Sequence, residues 1–301
     1  MADYDFETVD VFTDRLFGGN PLAVLPDARG LTDAQMQAIA REFNYSETTF
    51  VLPPDDPAHT ARVRIFTPSH EMPFAGHPNV GTGYVLATLR PGEYGFVFEE
   101  VAGLVHVEVN RDAAGAPHGA RIAAPRPLAT GIAVPTEQVA ACAGLDPEDI
   151  CTTSHEPLVA GTGADFVFAE LNSAEALDRA TPDLAAFRAA VASLPDLEGR
   201  LPLLLYVRDA DDPSRIAARM FAPLGGIIED PATGSACAAL AALLVAMAPG
   251  ADVSLRFEIA QGVAMGRPSL IVAEASKTGE GGVHAHVGGT CVPVMRGRIT
   301  V

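Results

Sequence analysis

Residues 227–244 read IIEDPATGSACAALAALL. Two acids, Glu229 and Asp230, run into a Pro-Ala-Thr-Gly-Ser turn, and the turn opens a long Ala/Leu run. A run apolar on every side predicts a helix buried all round, not a surface helix with one wet face. The acids and the polar turn at its mouth then need a purpose of their own. A second stretch supplies the context. His77-Pro78-Asn79-Val80-Gly81-Thr82-Gly83 matches Asp230-Pro231-Ala232-Thr233-Gly234-Ser235-Ala236 in the pattern x-Pro-x-[Val/Thr]-Gly-[Thr/Ser]-small, with His77 opposite Asp230. Upstream, RIFTP at 64–68 matches RMFAP at 219–223. The copies lie about half a chain apart, and each runs from a strand into a helix start. This is read as an internal duplication into two similar α/β halves.

The rest of the chain fits alternating elements. FETVDVFT and LAVLP read as strands, and LTDAQMQAIAREFN as a helix capped by Thr32 or Asp33, with apolar residues at helical spacing. ETTFVLPP is a β-rich run stopped by prolines, and ARVRIFTP alternates as a strand does. HPNVGTGYVLATLR is expected to be a helix with Pro78 in its first turn, where its missing N–H costs nothing. YGFVFEEVAGLVHVEVNR predicts two strands joined at Ala102-Gly103, and the Pro-rich segment 123–135 predicts a linker. The last third is strand-rich, with GGTCVPVMRG read as a turn between strands and Cys291 as core.

Composition narrows the function. At 301 residues and 48% hydrophobic, the chain can bury one large core or two smaller ones. A net charge of −18 with no Lys/Arg cluster argues against nucleic acid and against anionic membrane surfaces as partners. It does not exclude a small anionic ligand, since a local site can oppose the overall sign. The acidic N-terminus predicts no signal peptide, and the apolar run 236–248 is too short to span a bilayer, so a cytoplasmic protein is expected. Cys142, Cys151, Cys237 and Cys291 form no CxxC pair and are expected to be reduced, mostly buried thiols. His284 and His286 share a strand face with no third ligand, so no metal site is expected.

A helix start exposes free backbone N–H groups and a partial positive charge, which together favour an anion. Gly76, Gly81, Gly234 and Ser235 would let a ligand approach the backbone closely. The same turns, with Thr233 and Ser235, would equally serve as ordinary helix caps. For proton chemistry the candidates are His77, Glu71, Asp230, Glu229 and Glu47. Glu47 stands between a helix end and an apolar strand, where burial can raise a carboxyl pKa, although a capping glutamate would read the same way.

GNPLAVLP, NYSETTFVLP, RIFTPSHEMPFAGHPNVGTGYVL, EDPATGSACAALAALL and QGVAMGRPSLI, in this order along nearly the whole chain, resemble the PhzF-like family of phenazine-biosynthesis isomerases. The resemblance implies the diaminopimelate epimerase-like fold: an α/β protein of two pseudo-symmetric halves, each a curved sheet wrapped round a central helix, with the active site in the cleft between them. The central helices would start near Pro78 and Ser235. The halves are expected at 1–125, joined by the last strand at about 286–301, and at 126–285. By the same likeness Glu47 matches the catalytic acid/base glutamate. His77 and Asp230 match active-site residues, and Gly76, Gly234 and Ser235 hold the substrate. Racemases of this fold place a cysteine at each turn. Here Ala75 precedes Gly76 and the second turn reads Pro231-Ala232, so a two-thiol racemase is not expected.

The chemistry left is one carboxyl group moving a proton between two carbons of a small, carboxylate-bearing, cyclic amino-acid-like substrate, with no cofactor. Two alternatives stay open: a two-base epimerase drawing on His77 or Asp230, and a non-catalytic small-molecule-binding protein on the same scaffold. The family suggests a homodimer. Glu229 is read as a solvated neighbour.

Overall fold

In a computed structural model, which describes residues 1–194, 197, 199–279 and 281–301, the chain divides into two units. One is Met1–Pro125 with His286–Val301, and the other is Arg126–Ala285.

The first unit runs β1 (Asp3–Val11), β2 (Asn20–Leu25), α1 (Asp33–Phe43), β3 (Glu47–Leu52), β4 (Ala61–Phe66), β5 (Glu71–Met72), α2 (Gly76–Leu89), β6 (Gly95–Glu100), β7 (Gly103–Arg111) and β8 (Pro117–Ala123). Its strands pair in the order β1, β2, β3, β4, β6, β7, β8. The last strand of the chain, His284–Thr300, pairs with both β8 and β1 and closes the sheet into a ring. Closure removes the open edges that a sheet would otherwise expose. Inside the ring lies α2, packed on β1, β2, β3, β6, β7 and β8 and buried from Gly76 to Ala87.

Two glycines let this helix sit close to the sheet. A Cβ on Gly81 would stand 2.6 Å from Leu22 Cδ2, and one on Gly83 would stand 2.5 Å from Val107 Cγ1. Gly81 is therefore a packing residue in mid-helix, not a ligand-approach residue as its place in the repeat suggested.

On the other face of the sheet α1 covers Leu25, Phe50 and Phe66 with Met36, Ile39 and Ala40. Thr32 caps α1: its side chain accepts from Gln35 N, and the Gln35 side chain accepts from Thr32 N in return. Asn44, in the left-handed conformation at φ 53°, ends the helix. The chain turns there into β3, which runs parallel to β2 with Glu47 beside Leu22.

The second unit runs β9 (Ala129–Ala133), α3 (Thr136–Ala143), β10 (Ile150–Cys151), β11 (Leu158–Gly161), β12 (Asp165–Leu171), α4 (Ala174–Arg179), α5 (Leu184–Ser193), β13 (Leu203–Arg208), β14 (Arg215–Ala222), β15 (Ile227–Asp230), α6 (Gly234–Met247), β16 (Val253–Gln261) and β17 (Ser269–Lys277), before the closing strand β18 (His284–Thr300). Its strands pair in the order β9, β11, β12, β13, β14, β16, β17. The short β15 shares one edge of β14 with β16, as β5 shares an edge of β4 with β6. The parallel steps β2–β3 and β12–β13 match, as do β4–β6 and β14–β16. Each unit thus repeats one topology. The core helix α6 is buried all round, as its composition predicted, against β11, β12, β16 and β17.

The repeat register differs from the sequence reading. Ile65 pairs with Met72 in the first unit, and Met220 pairs with Asp230 in the second. Both central helices are 14 residues long and begin at a glycine, Gly76 and Gly234. Asp230 is thus the counterpart of Met72, Pro231 of Pro73, and Ser235 of His77. The likeness of HPNVGTG to DPATGSA is a shifted one.

Two further expectations change. Residues 129–133 of the proposed linker form β9. GGTCVPVMRG is no turn but the middle of β18, where Thr8 pairs with Met295 and Val9 with Pro293. The extra residue, Val294, makes a bulge, and a bulge tolerates a proline that cannot donate to the ladder. Among the described residues no helix is long and apolar enough to cross a membrane.

Candidate functional site

Strand alternation puts Glu47 on the helix side of the first unit's sheet. Phe50 faces α1. Thr49 faces inward, where its hydroxyl lies 2.8 Å from that of Thr82 in α2. With a side-chain period of two, Glu47 shares the face of Thr49. There its Oε2 comes to 3.4 Å from Nε2 of His77, at the start of α2. Both side chains are buried, with Glu47 8% and His77 5% exposed.

The contact is not an ion pair. Burial without a countercharge in hydrogen-bond contact pushes the His77 pKa down to about 3, so the imidazole is neutral at physiological pH. Its Nε2 makes no hydrogen bond among the described residues. A neutral imidazole beside a buried carboxyl can orient a substrate group or share its proton.

The first turn of α2 has no side-chain cap. Its N-cap is Ala75, which has nothing to offer the helix N–H groups. Asn79 instead turns its Nδ2 back onto the Ala75 carbonyl at 2.9 Å. The first turn of α6 is also uncapped, although its N-cap is Thr233. The Thr233 hydroxyl donates to Asp230 Oδ2 at 2.5 Å. Ordinary capping therefore does not account for these residues, and each helix start keeps backbone donors of the kind that receive an anion. Gly76 and Gly234 are the first helical residues, and Ser235 is half-buried beside Gly234.

In the second unit Asp230 is 6% exposed at the end of β15. Its turn is held by residues whose role sequence reasoning did not see. Gln261 is fully buried, and all four of its amide interactions serve this turn and helix. Its Nε2 donates to Asp230 O at 2.7 Å and to Thr233 Oγ1 at 3.1 Å, while its Oε1 accepts from Thr233 N at 3.2 Å and from Cys237 Sγ at 3.7 Å. Ser269 Oγ donates to Pro231 O at 2.8 Å. Gly262, at φ +73°, stands where a Cβ would meet Pro231 O at 2.6 Å. The motif QGVAMGRPSL carried the signal, in its polar Gln-Gly followed by a serine.

Glu229 is not solvated. It is paired through both oxygens with Arg219 at 2.8 Å, and both side chains are close to seven-eighths buried. Glu71 is likewise taken up, by Arg64 at 2.7 and 2.6 Å. Each glutamate is thus engaged by an arginine through both oxygens. At the matched positions where a two-thiol enzyme would need cysteines stand Ala75 and Thr233. Cys237 lies inside α6, where desolvation by burial pushes its thiol pKa far up, so it stays protonated. Cys142, Cys237 and Cys291 are buried and Cys151 half-buried, all as free thiols. Among the described residues no group of three or more His, Cys, Asp or Glu could hold a metal ion.

Comparison with known proteins agrees with this architecture. The family of phenazine biosynthesis-like proteins (PhzC-PhzF) matches residues 9–297. An uncharacterized isomerase of Mesorhizobium japonicum is 39% identical over 305 aligned residues, covering 100% of both chains. The trans-2,3-dihydro-3-hydroxyanthranilate isomerase of Pseudomonas fluorescens is 35% identical, over 99% of this chain and 100% of its own. The solved structure of a predicted epimerase from Pseudomonas aeruginosa is 30% identical with a TM-score of 0.79, over 99% of each chain. The chain belongs to the phenazine biosynthesis-like (PhzC-PhzF) family and is an isomerase of the PhzF type, on the diaminopimelate epimerase-like fold.

Proposed function

We propose that Glu47 is the general acid/base of a cofactor-independent isomerisation: it takes a proton from one carbon of a small carboxylate-bearing substrate and returns it to another. The observation that carries this reading is the buried Glu47 carboxyl, 3.4 Å from the neutral imidazole of His77 at an uncapped helix start. A carboxyl beside a neutral imidazole at a helix start is placed to take up a proton and return it.

In this reading His77 orients the group that loses or gains the proton. Backbone donors at Gly76, beside His77, hold the substrate's carboxylate, and Gly234 with the Ser235 hydroxyl offers donors of the same kind at the start of α6. Asp230, held by Thr233 and Gln261, accepts from a polar hydrogen of the substrate such as an ammonium or hydroxyl.

A two-base epimerase is the weaker reading. His77, with its pKa near 3, is a poor base at neutral pH, and the position matching Glu47 in the second unit carries no acid.

The first compound to test is trans-2,3-dihydro-3-hydroxyanthranilate, the substrate named for relatives such as the Pseudomonas fluorescens enzyme. It is a cyclic amino acid, so it offers the carboxylate and the movable C–H proton that the site requires. Turnover in D₂O, followed by NMR, should show isomerised product and deuterium at a single carbon. Inversion at one carbon with no double-bond shift would overturn the isomerase reading in favour of epimerisation. Binding without exchange would favour a non-catalytic role.

A further inference from the structure

Arg219 and Arg64 occupy the same place in the two units, and each grips a glutamate just ahead of the turn that starts its central helix. In both, Nε and Nη2 hold the two carboxylate oxygens side by side. In both, the third nitrogen reaches an outer helix. Arg219 Nη1 donates to the carbonyls of Leu177 at 3.0 Å, Asp178 at 3.3 Å and Ala180 at 2.7 Å, where α4 ends. Arg64 Nη1 donates to Asp33, the first residue of α1. Each guanidinium also lies over a phenylalanine ring two residues on, 5.0 Å from the centre of Phe221 and 5.1 Å from that of Phe66.

A largely buried ion pair is weak evidence of stability, because removing two charges from water offsets most of their attraction. What a two-pronged Arg–carboxylate contact supplies is orientation. The forks recur in both units although the residues they precede have diverged: Met72 against Asp230, and His77 against Ser235. Glu229 adjoins Asp230 in sequence, and Glu71 precedes the Gly76–His77 turn by a few residues.

We propose that these are positioning pairs for the reaction: Arg219–Glu229 sets the turn carrying Asp230, Gly234 and Ser235, and Arg64–Glu71 sets the turn carrying Gly76 and His77. The inference rests on the reading above that these turns meet the substrate.

Arg219→Lys keeps the charge and loses the two-pronged grip. Amide hydrogen exchange in residues 230–236 should then quicken by about tenfold or more, with residues 72–80 unchanged and the melting temperature within about 4 °C of wild type. Arg64→Lys should give the converse pattern. In turnover of trans-2,3-dihydro-3-hydroxyanthranilate each variant should lose about 10- to 100-fold in kcat, the effect expected of misplaced groups. Glu229→Gln, nearly isosteric, should reproduce the Arg219→Lys pattern and stands in for it if that variant does not fold. Unchanged exchange in 230–236, or exchange raised throughout the unit, overturns the inference. A wild-type protein that leaves the compound untouched counts against the reading of the reaction, and the exchange pattern then decides the positioning pairs alone.

Discussion

Glu47 and Pro202 occupy the same place in the two units. Thr48 pairs with Phe66 in one sheet and Leu203 pairs with Phe221 in the other, so the residue ahead of each, Glu47 or Pro202, is the same step of the repeat. The duplicated scaffold thus offers two equivalent sites for a carboxyl and fills one. The repeat therefore gives Glu47 no equivalent acid in the second unit.

Glu47→Gln should therefore fold, bind ligand and lose turnover. The substitution keeps the side chain's shape and removes its proton chemistry, so kcat should fall by about 10²–10⁴-fold, the span attributed to a positioned acid/base. Loss of solvent deuterium incorporation should run in parallel. Near-wild-type exchange in this variant would remove Glu47 from the mechanism.

His77 should remain neutral well into the acid range. Its folded pKa is depressed by burial from an ordinary 6.5 to about 3. The unfolded chain then binds a proton that the folded chain refuses, so the contribution to stability is intact above pH 6.5 and is lost as pH falls toward 3. Imidazole ¹⁵N shifts should show no His77 titration between pH 8 and 4.5, and His77→Gln should flatten the loss of stability across the acid limb. A His77 titration near pH 6.5 would contradict the buried, neutral ring.

Glu100 predicts the opposite slope. Desolvation by burial raises its pKa from 4.5 to about 8, and a contact with Asn79 pulls only partly the other way. Neither carboxyl oxygen makes a hydrogen bond among the described residues. Here the folded chain holds a proton that the unfolded chain releases. Stability is intact below pH 4.5 and declines as pH rises toward 8, by at most about 1.4 kcal/mol per pH unit. Glu100→Gln should raise the melting temperature at pH 8 and leave it nearly unchanged at pH 4.5. Equal effects at both values would show that Glu100 is ionised in the folded protein.

The fold was legible where chain-local physics decides it. An Ala/Leu run apolar on all sides can only be a buried helix, and the repeated Arg-x-Phe-x-Pro exposed the duplication. Glu47 was singled out by the family resemblance, because its place at the mouth of an apolar strand reads equally as a capping glutamate. The register of the repeat was not, because Pro78 and Pro73 both offer a match to Pro231, and only the strand pairings of Met72 and Asp230 choose between them. Pro293 suggested a turn because a proline inside a strand needs a bulge, and the bulge depends on Thr8 and Val9, nearly the whole chain away. Arg219 was noticed as a mark of the repeat, but its partner Glu229 lies across a strand pair and carries no signal of contact in sequence.

Gln261 gives the sharpest test of how the Asp230 turn is held. It sits 31 residues beyond Asp230 and 28 beyond Thr233, yet its amide satisfies the Asp230 carbonyl and both the backbone and hydroxyl of Thr233. Gln261→Ala would leave these buried groups without that partner, and such losses cost about 2–4 kcal/mol in sum. Thermal or urea unfolding should show that loss, together with a drop in kcat larger than that from a surface substitution. Gly262→Ala should be worse. The position has φ +73°, and a Cβ there would lie 2.5 Å from Arg267 O and 2.6 Å from Pro231 O, both backbone atoms that cannot move alone. The turn would have to shift as a whole, taking Asp230 with it. A stable, fully active Gly262→Ala protein would mean that the Asp230 turn is not set by its contact with this loop.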